Sequence, residues 1–271
     1  ARKVLVGAGD PAFIAEALTL PGESTLTEQM EIVDPELLFA ARCGLARFLA
    51  HGLESDLLRL YHALAPMAPY QPDNVQAARR RLRNLCLGYL NELDSAEYRA
   101  LARQQFDSTD NMTDQFAALS VLANAPGEEG DQTLADFYQR WESEALVVDK
   151  WLAVQSSGRL SGTLARVESL TRHAAFDIRN PNKVYALLRT FGANHRHFHA
   201  ADGAGYRFVA EQIVRLDPIN PQVASRLARS FDRWKRFDSE RQRHSRAALE
   251  SVRSQPGLSR DVFEVVDKAL G

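Results

Sequence analysis

Asp10-Pro11, Asp34-Pro35, Asn180-Pro181 and Asn220-Pro221 each put an Asx side chain directly before a proline, and apolar residues at helical spacing follow every one of them. An Asp or Asn at the N-cap accepts hydrogen bonds from free helix amides. Proline suits the first helical position, where its missing N–H would have no partner anyway. This pairing constrains the fold more than any other feature, because it fixes helix starts along the whole chain. Asp110 or Asn111 is placed to cap the helix that begins Met112-Thr113-Asp114, and Ser259 to cap the last one.

The apolar pattern agrees. Leu37, Leu38, Ala41, Leu45, Phe48 and Leu49 recur at three and four, as do Leu82, Leu85, Cys86, Tyr89, Leu90 and Leu93. Val184, Leu187, Leu188 and Phe191 repeat the period, and Val262, Val265, Val266, Ala269 and Leu270 close the chain with it. Such spacing lines one face of a helix with apolar groups. Helices are expected at 11–19, 35–50, 53–65, 73–91, 95–106, 112–124, 131–142, 145–156, 161–172, 181–192, 204–216, 221–236, 239–253 and 259–270. Strand signals are weak: residues 3–6 and 145–148 are short and fit either state. Pro66 to Pro72 and Ala125 to Gly130 read as turns, and no Gly/Ser-rich stretch divides the chain. The expectation is an all-α fold, one helical domain over 1–271. Short helices joined by tight turns point to stacked antiparallel pairs in a HEAT/armadillo-like superhelical array. No repeated sequence signature supports this, only helix lengths.

Composition narrows the function classes. The 271 residues carry 45% hydrophobic and 25% charged residues with a net charge of -2, a globular balance without the basic excess of a nucleic-acid or anionic-membrane binder. Cys43 and Cys86 sit in apolar helical patterns, as buried free thiols do, so a reducing, cytoplasmic compartment is expected. No run approaches the ~20 apolar residues that span a bilayer. The N-terminal apolar run is too short for a secretory signal, and a start at Ala1 fits a processed protein or a piece of a longer one.

Candidate sites cluster between Asn194 and Arg246. His195, His197 and His199 alternate, which would put His195 and His199 on one side of a helix or all three on one side of a strand. No carboxylate at ligand spacing precedes Asp202, so an ordinary loop outweighs a metal site. HExxH, CxxC, G-x-S-x-G and phosphate-loop patterns are missing. Asp202-Gly203-Ala204-Gly205-Tyr206 reads as a helix-entry turn, with Asp202 satisfying free amides. Arg226 to Arg246 holds eight Lys/Arg against three Asp/Glu, and Arg79, Arg80, Arg81 and Arg83 form a second cluster. A solvated helix face explains most such runs; the functional version presents guanidinium groups to carboxylates. Gln222 and Arg226 share a helix face at i, i+4, in the first turns after Asn220-Pro221. Trp141, Trp151 and Trp234 lie in phase with apolar neighbours, as core residues do.

These residues carry a resemblance. Asp10-Pro11-Ala12-Phe13 with Ala15 to Pro21, Asn111 to Asp114, Asp149-Lys150-Trp151 with Gln155, Asn180-Pro181-Asn182, Phe198-His199-Ala200 with Asp202-Gly203 and Gly205-Tyr206, and Asn220 to Leu227 run in order over nearly the whole chain. Together they resemble the C-terminal helical domain of the bacterial aminopeptidase N family, zinc-dependent metallopeptidases of the HExxH group. The resemblance implies a non-catalytic domain that closes over a catalytic domain, encloses its cavity and limits entry to small or unfolded peptides. It implies no catalytic residue and no metal here, with zinc held in a catalytic domain outside this chain. The implied partners are the other domains of the parent aminopeptidase and peptide substrates, with no nucleic acid and no membrane. Gln222 and Arg226 match family positions that face the cavity on the leaving-peptide side, where they contact the peptide backbone or its C-terminal carboxylate. Tyr185, on the helix expected at 181–192, is the third expected substrate contact. It departs from the family pattern, which has arginine there, so the resemblance implies no second guanidinium contact from this helix. The competing readings are a helical-repeat module that binds a protein or peptide without enzymatic association, and a metal or phosphate ligand site between His195 and Tyr206.

Overall fold

The computed structural model describes residues 1–5, 7 and 9–271. Among them helices follow one another as α1 Arg2–Leu5, α2 Pro11–Leu18, α3 Glu23–Thr27, α4 Pro35–Ala63, α5 Asn74–Asn91, α6 Ala96–Ser108, α7 Met112–Leu122, α8 Glu128–Trp141, α9 Ala145–Ser156 and α10 Thr163–Leu170. Next come α11 Pro181–Val184, a π turn Tyr185–Arg189, α12 Thr190–Gly192, α13 His195–Phe198, α14 Ala204–Leu216 and α15 Pro221–Ala228. Two 3₁₀ turns, Arg229–Phe231 and Trp234–Arg236, lead to α16 Ser239–Arg253 and α17 Arg260–Leu270. The β pairing among the described residues is a single parallel bridge between Val33 and Phe237. The protein is all-α, as the periodicity predicts. Of the segment 3–6, Val6 lies outside the described residues and the rest belongs to α1.

Each Asx-Pro pair caps its helix. Asp10 accepts from the Ala12 amide at 3.2 Å, Asp34 from Leu37 at 2.9 Å, Asn180 from Asn182 at 3.0 Å and Asn220 from Val223 at 3.1 Å. Asn111, rather than Asp110, caps α7 through the Asp114 amide at 2.9 Å, and Ser259 caps α17. Each such cap is worth about 1 kcal/mol.

Two helices differ from expectation. The spans 35–50 and 53–65 are one helix, α4, which runs through Gly52 without a break. A glycine costs a helix interior only about 1 kcal/mol, and His51-Gly52-Leu53 offers no cap to stop it. The inward stripe of α4 is only partly the expected one: Leu38 is buried, but Leu37, Leu45 and Phe48 are exposed, and Ala50, Leu53, Leu57 and Tyr61 are buried instead. The helix carries two apolar stripes, and tertiary partners choose between them. Downstream, the α-helix expected over 221–236 stops at Ala228 and tightens into the 3₁₀ turns. Phe231 and Trp234, both buried, stand three apart, the spacing that a 3₁₀ turn stacks on one side.

The chain forms two compact units, one of residues Ala1–Gly22 with Ala40–Phe137, the other of Glu23–Phe39 with Tyr138–Gly271. In the first, consecutive helices pack as hairpins: α6 on α7, α5 on both, and α2 on α5. Its core includes Leu57, Leu82, Leu87, Leu90, Phe106, Leu119 and Phe137. A buried polar network runs through it. Tyr61 shares its hydroxyl with Gln105 at 3.0 Å and Arg83 at 2.9 Å, and the fully buried Asp114 accepts from Asn84 at 2.8 Å. The arginine cluster of α5 disperses into separate contacts, Arg81 with Glu16, Arg79 with the Ala63 carbonyl at 3.0 Å and Arg80 over the Tyr70 ring. Cys86 is fully buried, and burial pushes its thiol up to about 12; Cys43 is half-buried, and neither is in a disulfide.

In the second unit α14 packs on α15 and α16, α17 on α15 and α16, and α9 on the π turn. Its core is aromatic: Phe198 meets Tyr206 and Phe231 edge-on with ring centroids 5.1 and 5.2 Å apart. Trp151 and Trp234 are buried as expected, whereas Trp141 is half-buried. Lys183 is nearly buried and pairs with Asp149 at 2.8 Å while donating to the Ala145 carbonyl at 3.0 Å.

Candidate functional site: an arginine-lined cavity

The second unit contains a cavity of about 600 Å³. Its wall draws Arg189 from the π turn, His195 and His199 from the α13 region, Arg226 from α15, and Arg229, Arg233 and Arg236 from the 3₁₀ turns and the step between them, with Ser24 and Thr27 of α3 and Glu28 just after it. Two devices place these elements. The first is Gly192: a Cβ there would lie 2.3 Å from Ser230 Oγ, so glycine lets α12 approach the turn after α15. The second fastens the α3 segment. Val33 donates its amide to the Arg236 carbonyl at 2.8 Å, the Arg236 guanidinium bonds the Met30 carbonyl, and Arg233 pairs with Glu28 at 3.3 Å.

The histidines divide between two roles. His195 and His199 face each other with ring centroids 5.6 Å apart, and both line the cavity. His199 is buried, stacks on Phe237 at 3.8 Å and shares a 2.8 Å hydrogen bond with the Tyr206 hydroxyl through Nδ1. Burial first, then the neighbouring His195 and Arg241, hold its pKa well below the usual imidazole value. Burial and Arg233 also lower His195, so both rings are neutral at neutral pH. His197 is buried elsewhere, away from the cavity lining. Among the described residues no group of three or more His, Cys, Asp or Glu is placed to hold a metal ion. The histidines build a corner. Arg241, itself buried, donates to the His199 carbonyl at 2.7 Å and pairs with Asp238 and Glu36, and Asp202 accepts from the Ala204 amide at 2.9 Å at the entry to α14. A Cβ on Gly205 would lie 2.5 Å from the His197 and Phe198 carbonyl oxygens, which is why the corner needs glycine. No phosphate-loop geometry is required to explain it.

Of the three expected substrate contacts, Arg226 lines the cavity, and its Nη1 donates to the Tyr185 hydroxyl at 2.9 Å. Tyr185 and the exposed Gln222 are not part of the lining. Sequence reasoning missed Arg189. It sits four residues after Tyr185, at the end of the π turn, with its guanidinium carbon 5.7 Å from the Tyr185 ring centroid. Single π turns are rare and concentrate at functional sites, but the apolar period through Val184, Leu187, Leu188 and Phe191 gives no sign of one. Arg229 pairs with Asp232 at 3.6 Å and Arg233 with Glu28, whereas Arg189, Arg226 and Arg236 make no ion pair among the described residues, Arg236 bonding the Met30 carbonyl instead. Such a surface can hold an anion by charge and forked hydrogen bonds.

The family described as "Domain of unknown function (DUF3458_C) ARM repeats" matches residues 1–271. The chain belongs to this family. Among curated relatives, this ARM-repeat chain is 38% identical over 262 residues to aminopeptidase N of Escherichia coli (strain K12), covering 96% of this chain and 30% of that protein. It is 37% identical over 271 residues to aminopeptidase N of Caulobacter vibrioides, covering 100% of this chain and 31% of that protein. Among solved structures, it is similar to the crystal structure of Legionella pneumophila aminopeptidase A in complex with aspartic acid. That match has a TM-score of 0.91 at 33% identity over 99% of this chain and 33% of that one. The DUF3458_C chain therefore spans about 30% of the length of the curated relatives it matches and corresponds to a part of proteins named aminopeptidase N. The ARM-repeat description agrees with the paired helices of both units. Among the described residues no helix is long and apolar enough to cross a membrane.

Proposed function

We propose that this chain is the non-catalytic C-terminal domain of a larger, cytoplasmic, zinc-dependent aminopeptidase that releases N-terminal amino acids from peptides. In this reading residues 1–271 act as one domain that encloses the active-site cavity and restricts which peptides reach it. The zinc and the catalytic groups reside in the parent protein outside this stretch, and the parent's other domains and its peptide substrates are the partners. Arg226, steadied by Tyr185, and Gln222 one turn earlier on α15 contact the peptide on the leaving side. The supporting observation is Arg226 on the wall of a cavity of about 600 Å³, its guanidinium held by the Tyr185 hydroxyl at 2.9 Å.

The test is kinetic. In the parent enzyme, Arg226→Ala is expected to lower kcat/KM for tetrapeptides by about tenfold, the scale of one lost charge-assisted hydrogen bond. Turnover of an aminoacyl-p-nitroanilide, which has no leaving peptide, is expected to stay unchanged. An equal loss on both substrates would contradict a contact on the leaving side.

A further inference from the structure

The arginine run of α5 is not a uniformly solvated face. Arg81 is exposed and pairs with Glu16, but Arg79, Arg80 and Arg83 are half-buried and line a cavity of about 220 Å³ in the first unit. None of these three makes an ion pair among the described residues, although Arg79 and Arg83 stand one helical turn apart, where like charges oppose each other. Arg79 bonds the Ala63 carbonyl, Arg80 the Gln76 side chain at 3.0 Å and Arg83 the Tyr61 hydroxyl at 2.9 Å. Arg83 Nε is buried without a hydrogen-bond partner, an exception in folded proteins. Asp110 and Asp114 line the same cavity, but their oxygens are engaged elsewhere. Asp110 accepts from the Tyr70 amide at 2.9 Å, and Asp114 from Asn84 at 2.8 Å and Asn111 at 3.0 Å. Three cations against two carboxylates leave the lining with one positive charge in excess.

Much of the remaining lining is apolar. Leu64, Pro66, Met67 and the Tyr70 ring supply it, with the Arg80 guanidinium carbon 4.8 Å from the ring centroid. The segment between α4 and α5 that carries this side is held in place. Besides the Tyr70 bond to Asp110, the Gln71 amide donates to the Gln76 side chain at 3.0 Å, and Gln76 donates back to the Pro69 carbonyl at 3.2 Å. A preformed cavity with an apolar side and a few converging polar groups is the usual form of a small-ligand site.

We propose that this cavity binds a small monocarboxylate with an apolar body, the carboxylate held by Arg79, Arg80 and Arg83 and the body packed against Met67 and Tyr70. Forked guanidinium donors match a carboxylate. The single excess charge suits a monoanion, whereas a phosphate dianion would be set against Asp110 and Asp114 as well. At about 220 Å³ the cavity falls below the range of about 300–1,000 Å³ that takes drug-sized ligands, so the body is about the size of an aromatic ring. The inference does not rest on the peptide reading of the larger cavity; it adds a small-molecule site in the first unit.

The experiment is calorimetric titration of the 271-residue chain with four probes: phenylacetate, phenylacetamide, acetate and inorganic phosphate. Phenylacetate is expected to bind at least about tenfold more tightly than each of the others, the scale of one charge-assisted hydrogen bond or one buried ring. Arg80→Gln is expected to weaken phenylacetate by about threefold or more. Tyr70→Ala, a change at an exposed side chain, is expected to bring phenylacetate close to acetate. Arg226→Gln, in the other cavity, is expected to leave phenylacetate binding unchanged. Arg83 also holds the buried Tyr61 hydroxyl, so the test rests on Arg80 and Tyr70 rather than on Arg83. Equal binding of phenylacetate and phenylacetamide overturns the carboxylate contact. Phosphate or acetate binding as tightly as phenylacetate overturns the apolar side and reduces the cluster to a general anion patch. Loss of phenylacetate in Arg226→Gln with none in Arg80→Gln places the anion in the other cavity and overturns the site. No heat with phenylacetate at about 10 mM, the weak end of specific binding, overturns it outright.

Discussion

Arg226 Nη1 and the Tyr185 hydroxyl lie 2.9 Å apart, joining α15 to the π turn across 41 positions of sequence. Both side chains reach solvent, so the contact holds a guanidinium in place without being part of the core. Tyr185→Phe is therefore expected to change unfolding free energy by no more than about 0.5 kcal/mol, measured by urea denaturation. A larger loss would mean that the pair supports the fold rather than the cavity.

The Lys183–Asp149 pair is the opposite case, with side chains only 11% and 18% exposed. Lys183→Met leaves the carboxylate of Asp149 without its cation in a mostly desolvated place. The expected cost is about 3–5 kcal/mol. The double variant Lys183→Met with Asp149→Leu removes both charges and is expected to be more stable than the single one. Denaturant midpoints of the two variants check the order, and the reverse order contradicts it.

Gly205 tests the corner before α14. Alanine there brings a methyl within 2.5 Å of two backbone carbonyl oxygens, which side-chain rotation cannot relieve. Gly205→Ala is expected to destabilise by about 1–3 kcal/mol, the scale of overpacking in a filled interior. Gly162→Ala, where nothing lies within 4 Å, serves as the control and is expected to be near neutral in the same thermal melt.

The neutral histidines make stability depend on pH. His195 and His199 both have folded values below the ordinary imidazole value of about 6.5. Below that pH the unfolded chain binds protons that the folded chain refuses. Their contribution is therefore full above about pH 6.5 and is lost as the pH falls toward the folded values. Arg241 and His195 act on His199 and Arg233 acts on His195, all in the same direction as burial, while Glu28 and Asp232 on the same cavity wall are paired with Arg233 and Arg229. Urea midpoints are expected to fall between about pH 7 and pH 5, with a shallower fall in His195→Gln. A profile that is flat, or rises on acidification, contradicts the assignment.

Much of the fold was legible because helix starts have local chemistry. Asp10, Asp34, Asn180 and Asn220 cap helices where the Asx-Pro rule places them. The short helices α3 and α13 escaped, since four or five residues carry no period. The exposed face of α4 escaped because Leu45 and Leu53 look alike to a hydropathy pattern; only packing separates them. At the cavity, Arg226 was legible from its phase after Asn220-Pro221. Arg189 was not, because a π turn shifts side chains without altering composition. The histidines drew attention through their alternation, yet His199 and His197 are buried in the corner and serve to build it.

The account's central claim is that this chain shapes an aminopeptidase cavity without performing the chemistry. The direct measurement is hydrolysis of an aminoacyl-p-nitroanilide by the purified 271-residue chain, with and without added zinc. The account predicts no turnover above the buffer blank in either condition. Zinc-dependent release of p-nitroaniline that is proportional to chain concentration and abolished by a chelator would contradict it.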